Sequence, residues 1–222
     1  MSIAIAIDGP AGAGKSTIAR MAARELGFIY VDTGALYRAI GLAAQRRGMG
    51  AKDTADVTAM LPQLTVELDF NENGEQIVLL DGEDVSAFIR TPEISMMASG
   101  VSAIPEVRAF LLELQRDMAR RHNVIMDGRD IGTVVLPGAQ IKIFLTASAE
   151  CRARRRYDEL IAKGTDVTFE DVLSDVVARD YADSHREIAP LKPADGAVLV
   201  DTSGENLETS VKKLLGIMKE RL

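Results

Sequence analysis

The sequence is poor in the residues that announce cross-links, metal cages or stacked bases. Among 222 residues there is one cysteine, Cys151, and no tryptophan, and aromatics make up only 5%. A lone cysteine excludes an internal disulfide, and with only His122 and His185 there is no Cys/His spacing for zinc. Basic residues are outnumbered, 26 Lys and Arg against 33 Asp and Glu, which gives a net charge of −7. That balance argues against a broad nucleic-acid surface, which needs a net basic face. No apolar run approaches the roughly 20 residues that span a bilayer, and the first residues carry no charged segment before a long apolar core. These absences lead us to expect a cytoplasmic protein that acts on small molecules, without membrane or nucleic acid. With no apolar stripe beyond the core pattern, a monomer is expected.

What is present begins at residues 3–17, I-A-I-A-I-D-G-P-A-G-A-G-K-S-T. A short β-branched run of this kind is expected of a strand buried on both faces. Gly9, Gly14, Lys15 and Ser16 then match the phosphate-loop pattern G-x-x-x-x-G-K-[ST], and a helix-like segment follows at 18–25. The chemistry needs each part. Glycines let backbone N–H groups turn inward around a polyphosphate, and the helix N-terminus adds partial positive charge. Lys15 can reach the β- and γ-phosphates, and the Ser16 hydroxyl can ligate Mg²⁺. The pattern predicts binding of a nucleoside triphosphate.

Further strands are expected at 28–31, 123–126, 141–145 and 198–200, separated by helical segments, so the fold class is α/β with a five-stranded parallel sheet flanked by helices. Two stretches depart from this. Residues 64–70 alternate as L-T-V-E-L-D-F, Asn73-Gly74 is hairpin-turn chemistry, and 76–80 reads as a second strand. We therefore expect a small antiparallel insertion at 53–92 within a core of 1–52 and 93–222. Residues 150–165 carry Arg152, Arg155 and Arg156 on one helix face. That face reads either as a short helical lid or as a surface paired with Asp158 and Glu159, and we favour the lid. Elsewhere Thr91-Pro92 opens a helix, and Thr168 with Asp171 forms a capping box.

In such sheets ligands sit at the carboxyl ends of the strands, where Asp8, Asp32, Asp127 and the turn at 146–148 fall. No N-K-x-D signature of a guanine switch is present. A small-molecule kinase needs a second anionic site, and Arg38, Arg108, Arg129, Arg179 and Arg186 supply the residue type, since the guanidinium fork grips phosphate oxygens bidentately. For Asp32 and Asp127, orienting Mg²⁺ waters and plain capping or packing stand as equal readings, and both histidines read as structural or surface residues.

Taken together, Asp32-Thr-Gly-Ala-Leu-Tyr-Arg38, Asp127-Gly-Arg-Asp-Ile-Gly132 and Arg179-Asp-x-x-Asp183-x-x-Arg186, beside the phosphate loop, closely resemble the bacterial cytidylate kinases. The resemblance runs nearly end to end. It implies an adenylate-kinase-like fold and transfer of the ATP γ-phosphate to CMP or dCMP, with Mg²⁺. It also implies that Gly9, Pro10, Ala11, Gly12, Ala13, Gly14, Lys15, Ser16 and Thr17 hold the ATP phosphates. Arg38, Arg129 and Arg186 would grip the acceptor phosphate; Ser99, Arg108 and Asp130 would meet cytosine; Arg179 and Asp183 would meet the sugar. Tyr37 would line this pocket with Thr33, where some relatives carry serine. A P-loop kinase for UMP or another small anion is the alternative.

Overall fold

The structure is a computed structural model in which residues 2–72 and 75–222 are described. The expected Asn73-Gly74 turn lies outside the described residues. In chain order the elements are β1 (Ala4–Asp8), α1 (Lys15–Leu26), β2 (Ile29–Asp32), α2 (Thr33–Arg46), α3 (Thr54–Met60), β3 (Val66–Phe70), β4 (Gln76–Leu80) and β5 (Glu83–Asp84). There follow α4 (Pro92–Val101), α5 (Pro105–Arg121), β6 (Val124–Gly128), a π-helical turn (Ile131–Val135), β7 (Ile141–Thr146), α6 (Ala149–Ala162), α7 (Phe169–His185), β8 (Val198–Asp201) and α8 (Leu207–Lys219).

The chain divides into two compact units. The first holds the residues up to Tyr30 and His122–Leu222; the second is Val31–Arg121. Five strands form one sheet in the order β2-β6-β1-β7-β8, and the pairings β1–β6, β1–β7 and β7–β8 are parallel. β1 is central and all five of its residues are buried, which is why its sequence is apolar from Ala4 to Ile7 rather than alternating, before it ends on Asp8. Helix α1 turns Ile18, Ala19, Ala22 and Ala23 inward, and Gly27 stops it in the left-handed conformation with its N–H on the Ala23 carbonyl. Ile5, Ile7, Ile125, Ile141 and Leu145 with Leu214 and Met218 of α8 complete this unit's core.

The second unit has its own core, in which Leu36, Ile40, Val57, Val78, Ile89, Ile94 and Leu111 are buried together. Its three-stranded sheet, β3-β4-β5, is antiparallel, with Val66 opposite Leu80 and Phe70 opposite Gln76. Along β3 the exposed Glu67 and Asp69 alternate with Val66, Leu68 and Phe70. A one-residue slip would turn both carboxylates inward, so the pattern fixes the register. The expected insertion at 53–92 lies inside this unit, which begins earlier, at Val31, and ends later. Capping follows the sequence closely. Thr91 accepts the Ile94 N–H with Pro92 in the first turn of α4, and Thr168 accepts the Asp171 N–H at the head of α7. Helix α7 begins at Phe169, directly after its Thr168 cap, and runs on to His185.

Candidate functional site

In the first unit the phosphate loop leaves β1 at Gly9. A side chain there is excluded: an added Cβ would lie 1.9 Å from the Leu145 carbonyl oxygen, at φ +149°. Gly14, left-handed at φ 86°, precedes α1 and offers no side-chain cap, so the first amides of that helix remain available to an anion. Lys15 is buried and its Nζ donates to the Pro10 carbonyl at 2.7 Å. Burial, and then the charge of Arg129, lower the Lys15 ammonium to about 7 against the opposing pull of Asp127, Asp8 and Asp183. A cation held so reluctantly gains most when a polyphosphate arrives beside it.

Around the loop stand the ends of β1 and β6. Asp127 accepts the Ser16 hydroxyl at 2.8 Å and the Tyr30 hydroxyl at 3.0 Å. Arg129 donates through Nε to Asp183 at 2.8 Å and through a terminal nitrogen to the Gly128 carbonyl at 3.3 Å. Burial pushes the Asp183 carboxyl up, but the charge and hydrogen bond of Arg129, with Arg179 and Arg186, outweigh it and hold the group below the usual carboxylate range. Asp130 is buried and faces Arg186 across 3.6 Å, and Arg186 also donates to the Ala189 carbonyl at 2.7 Å. Three arginines and two carboxylates are thus already organised around each other, which lowers the cost of ordering them on a ligand.

The arginines of α6 occupy different environments. Arg152 is buried; its Nε donates to the Ala147 carbonyl at 2.8 Å, one terminal nitrogen to the Ala11 carbonyl at 3.1 Å, and both terminal nitrogens to Asp180 of α7. Arg155 donates to the Thr202 carbonyl at 3.0 Å, and Arg156 pairs with Glu159 at 2.9 Å. His185 is exposed and stacks on Tyr181, as a surface residue would.

In the second unit Asp32 is the organiser. Its carboxylate caps α2 through the Ala35 N–H at 3.1 Å and accepts from Arg38 at 2.7 Å, while the Arg90 guanidinium lies 3.9 Å away. Gln76 of β4 grips the Asp32 backbone at both ends, accepting its N–H at 2.8 Å and donating to its carbonyl at 3.3 Å. The Nε of Arg38 is buried and finds no hydrogen-bond partner among the described residues, leaving a spare donor beside the one already used. Arg108 is buried, donates to the Ser102 carbonyl at 3.2 Å and lies over the Tyr37 ring at 5.6 Å, and the Ser102 hydroxyl in turn donates to the Ser99 carbonyl at 2.8 Å. Thr33 opens α2 and is buried.

The comparisons with known proteins agree over nearly the whole length. The family model described as cytidylate kinase matches residues 5–220. The chain belongs to the cytidylate kinase family. A cytidylate kinase of Carboxydothermus hydrogenoformans is 50% identical over 214 residues, covering 96% of each chain. One from Streptococcus pneumoniae is 45% identical over 221 residues, covering 100% of this chain and 99% of that one. One from Syntrophotalea carbinolica is 48% identical over 217 residues, covering 98% and 92%. Among solved structures, an uncharacterized protein from Eubacterium ventriosum aligns over the full length of both chains with a TM-score of 0.56 at 12% identity, a likeness of fold.

Of the residues that the sequence singles out, Lys15, Ser16, Arg129, Asp130, Arg179, Asp183 and Arg186 belong to the first unit, and Thr33, Tyr37, Arg38, Ser99 and Arg108 to the second. Sequence reasoning left four participants without a role of this kind: Asp8, Asp180, Gln76 and Arg90. For Asp180 a signal existed, because it sits inside the Arg179-Asp-x-x-Asp183 motif. Among the described residues no helix is long and apolar enough to cross a membrane.

Proposed function

We propose that this enzyme transfers the γ-phosphate of ATP to CMP or dCMP, giving ADP with CDP or dCDP. The observation that carries the reading is a buried carboxylate, Asp130, paired with Arg186 on the turn that follows β6, in a chain whose phosphate loop supplies the donor side. Cytosine presents an exocyclic amino donor and two acceptors. Asp130 would accept from the amino group, and Arg108, with Ser99, would serve the acceptors. Uracil reverses the pattern at two of these positions and would be handled less well. Arg38, Arg129 and Arg186 would grip the acceptor phosphate, Arg179 and Asp183 the sugar, and Tyr37 and Thr33 would line the pocket.

On the donor side, residues 9–17 would cradle the polyphosphate, with Lys15 at the β- and γ-phosphates. The Ser16 hydroxyl and the adjoining Asp127 carboxylate are hard oxygen donors of the kind Mg²⁺ takes; they would hold the ion, which would supply neutralisation of phosphate charge. No general base is required, because the acceptor is a phosphate oxygen whose second ionisation lies near about 6. Positioning and charge stabilisation by Lys15 and the arginines then carry the transfer. Residues 53–92 would form the monophosphate-binding insertion and 150–165, with Arg152, Arg155 and Arg156, the lid on a core of 1–52 and 93–222. The acidic chain, acting on small nucleotides, would work as a cytoplasmic monomer without nucleic acid; light scattering at assay concentration checks the monomer.

A coupled assay of ADP release over CMP, dCMP, UMP, AMP, GMP and shikimate tests the reading. The highest kcat/KM is expected with a cytidine nucleotide, and best turnover on any other acceptor removes it.

A further inference from the structure

One buried carboxylate has no part in the chemistry described above. Asp8 ends β1 and is 3% exposed, and its two oxygens accept one backbone N–H each, from Ile131 at 2.7 Å and from Gly132 at 2.7 Å. These are the first two amides of the π-helical turn, whose own bonds run from the Val134 and Val135 amides back to the Asp130 carbonyl at 2.9 and 3.2 Å. Both are therefore amides that the turn cannot satisfy internally. The parallel register that sets Asp8 beside Gly128 delivers the carboxylate to them from a strand more than 120 residues away. Charge-assisted bonds of this length are the strong kind, and two to one carboxylate fix direction as well as distance.

We infer that Asp8 is a positioning residue for base selection: by clamping the amides that follow Asp130, it sets the direction in which Asp130 presents its carboxylate to the base. This rests on the reading of Asp130 given under the proposed function. Three observations support it. The clamp grips the residues directly after Asp130, so rotation of that turn would carry Asp130 with it. Space around the turn is tight: a Cβ on Gly132 would meet the Ala194 Cβ at 3.0 Å and the Asp8 carboxylate at 3.3 Å. Finally, the arrangement is costly. Burial raises the Asp8 carboxyl to about 6 even though the Gly132 and Ile131 amides lower it; Asp130 adds to the rise and Lys15 opposes it. Since Asp8 is followed by Gly9, the same residue joins the donor loop to the base-reading turn.

The test compares wild type, Asp8→Asn and Gly132→Ala, with kcat and KM measured separately for CMP, UMP and ATP. The carboxamide keeps one acceptor but turns an NH₂ toward the second amide, so one arm of the clamp is lost. The ratio of kcat/KM for CMP over UMP is expected to fall about tenfold, the scale of one lost hydrogen bond to a charged group, through a higher KM for CMP, while the KM for ATP stays within about twofold. Gly132→Ala crowds the same turn and the Asp8 carboxylate while leaving the charge in place, and is expected to lower the same ratio, which keeps the test decisive if Asp8→Asn does not fold. An unchanged ratio in the folded variants, or a loss confined to ATP, overturns the inference and returns Asp8 to a support for Lys15. A wild type that does not prefer CMP over UMP overturns the functional reading itself, whatever the variants do.

Discussion

Arg152 offers a perturbation whose size follows from the structure. Its side chain is 4% exposed and its guanidinium makes bonds to Ala147, Ala11 and Asp180, the last through both terminal nitrogens. Arg152→Met keeps the aliphatic packing and removes every one of these donors. Breaking a buried pair costs about 3–5 kcal/mol, but Asp180 is 29% exposed and regains some water, so we take the lower end, about 3 kcal/mol. For a chain of this length about 2–4 °C of Tm accompanies each kcal/mol, which predicts a fall of about 6–12 °C. Asp180→Asn alone should cost less, because Asn retains an acceptor. A double-mutant cycle followed by thermal unfolding in circular dichroism isolates the pair, and a coupling of about 1–2 kcal/mol is expected. Release of the Ala11 carbonyl should also raise the KM for ATP, since that carbonyl belongs to the phosphate loop. A Tm within about 2 °C of wild type, or strictly additive single changes, refutes the strap between loop and α7.

Two further outcomes follow from the site. Asp130→Ala should cut discrimination between CMP and UMP by about tenfold or more, the range of about 1–3 kcal/mol attached to a good base-reading contact, with little change in the KM for ATP; kinetics on both acceptors check it, and unchanged discrimination removes Asp130 from the base site. Lys15, lowered to about 7, is largely neutral at pH 8, and a bound polyphosphate favours its charged form, so binding of ATP at pH 8 should take up protons and at pH 5.5, where the group is already charged, should take up none on its account. Calorimetry in buffers of different ionisation enthalpy reads this directly, and no uptake at pH 8 contradicts the picture of a buried, desolvated lysine.

How far these groups could be read from sequence depended on how local their partners are. The phosphate loop was fully legible because strand, turn and helix are contiguous and each residue type has its own mechanical reason. Caps at Thr91 and Thr168 were legible for the same reason: the hydroxyl and the amide it accepts lie three residues apart. Asp8 was visible as a carboxylate at a strand end, yet its partners come from a turn beyond β6 and nothing in spacing points to them. Asp32 shows the middle case. Its capping role follows from position, while the grip of Gln76 on its backbone comes from 44 residues further along the chain. Arg152, Arg155 and Arg156 share a face by helical spacing, but spacing does not say which of them reaches buried carbonyls, and the three turn out to have quite different partners. The two-residue β5 that completes the small sheet carries no alternation long enough to read. The π-helical turn was likewise invisible, since its bonds close over five residues of no distinctive pattern.

The central claim is that the γ-phosphate passes from ATP to the phosphate of a cytidine nucleotide, and following that phosphate tests it most directly. With ATP labelled at the γ-position and CMP as acceptor, label should appear in the β-phosphate of CDP in step with ADP formation, with little released as inorganic phosphate. Label recovered as inorganic phosphate at the same rate with and without CMP would contradict the account.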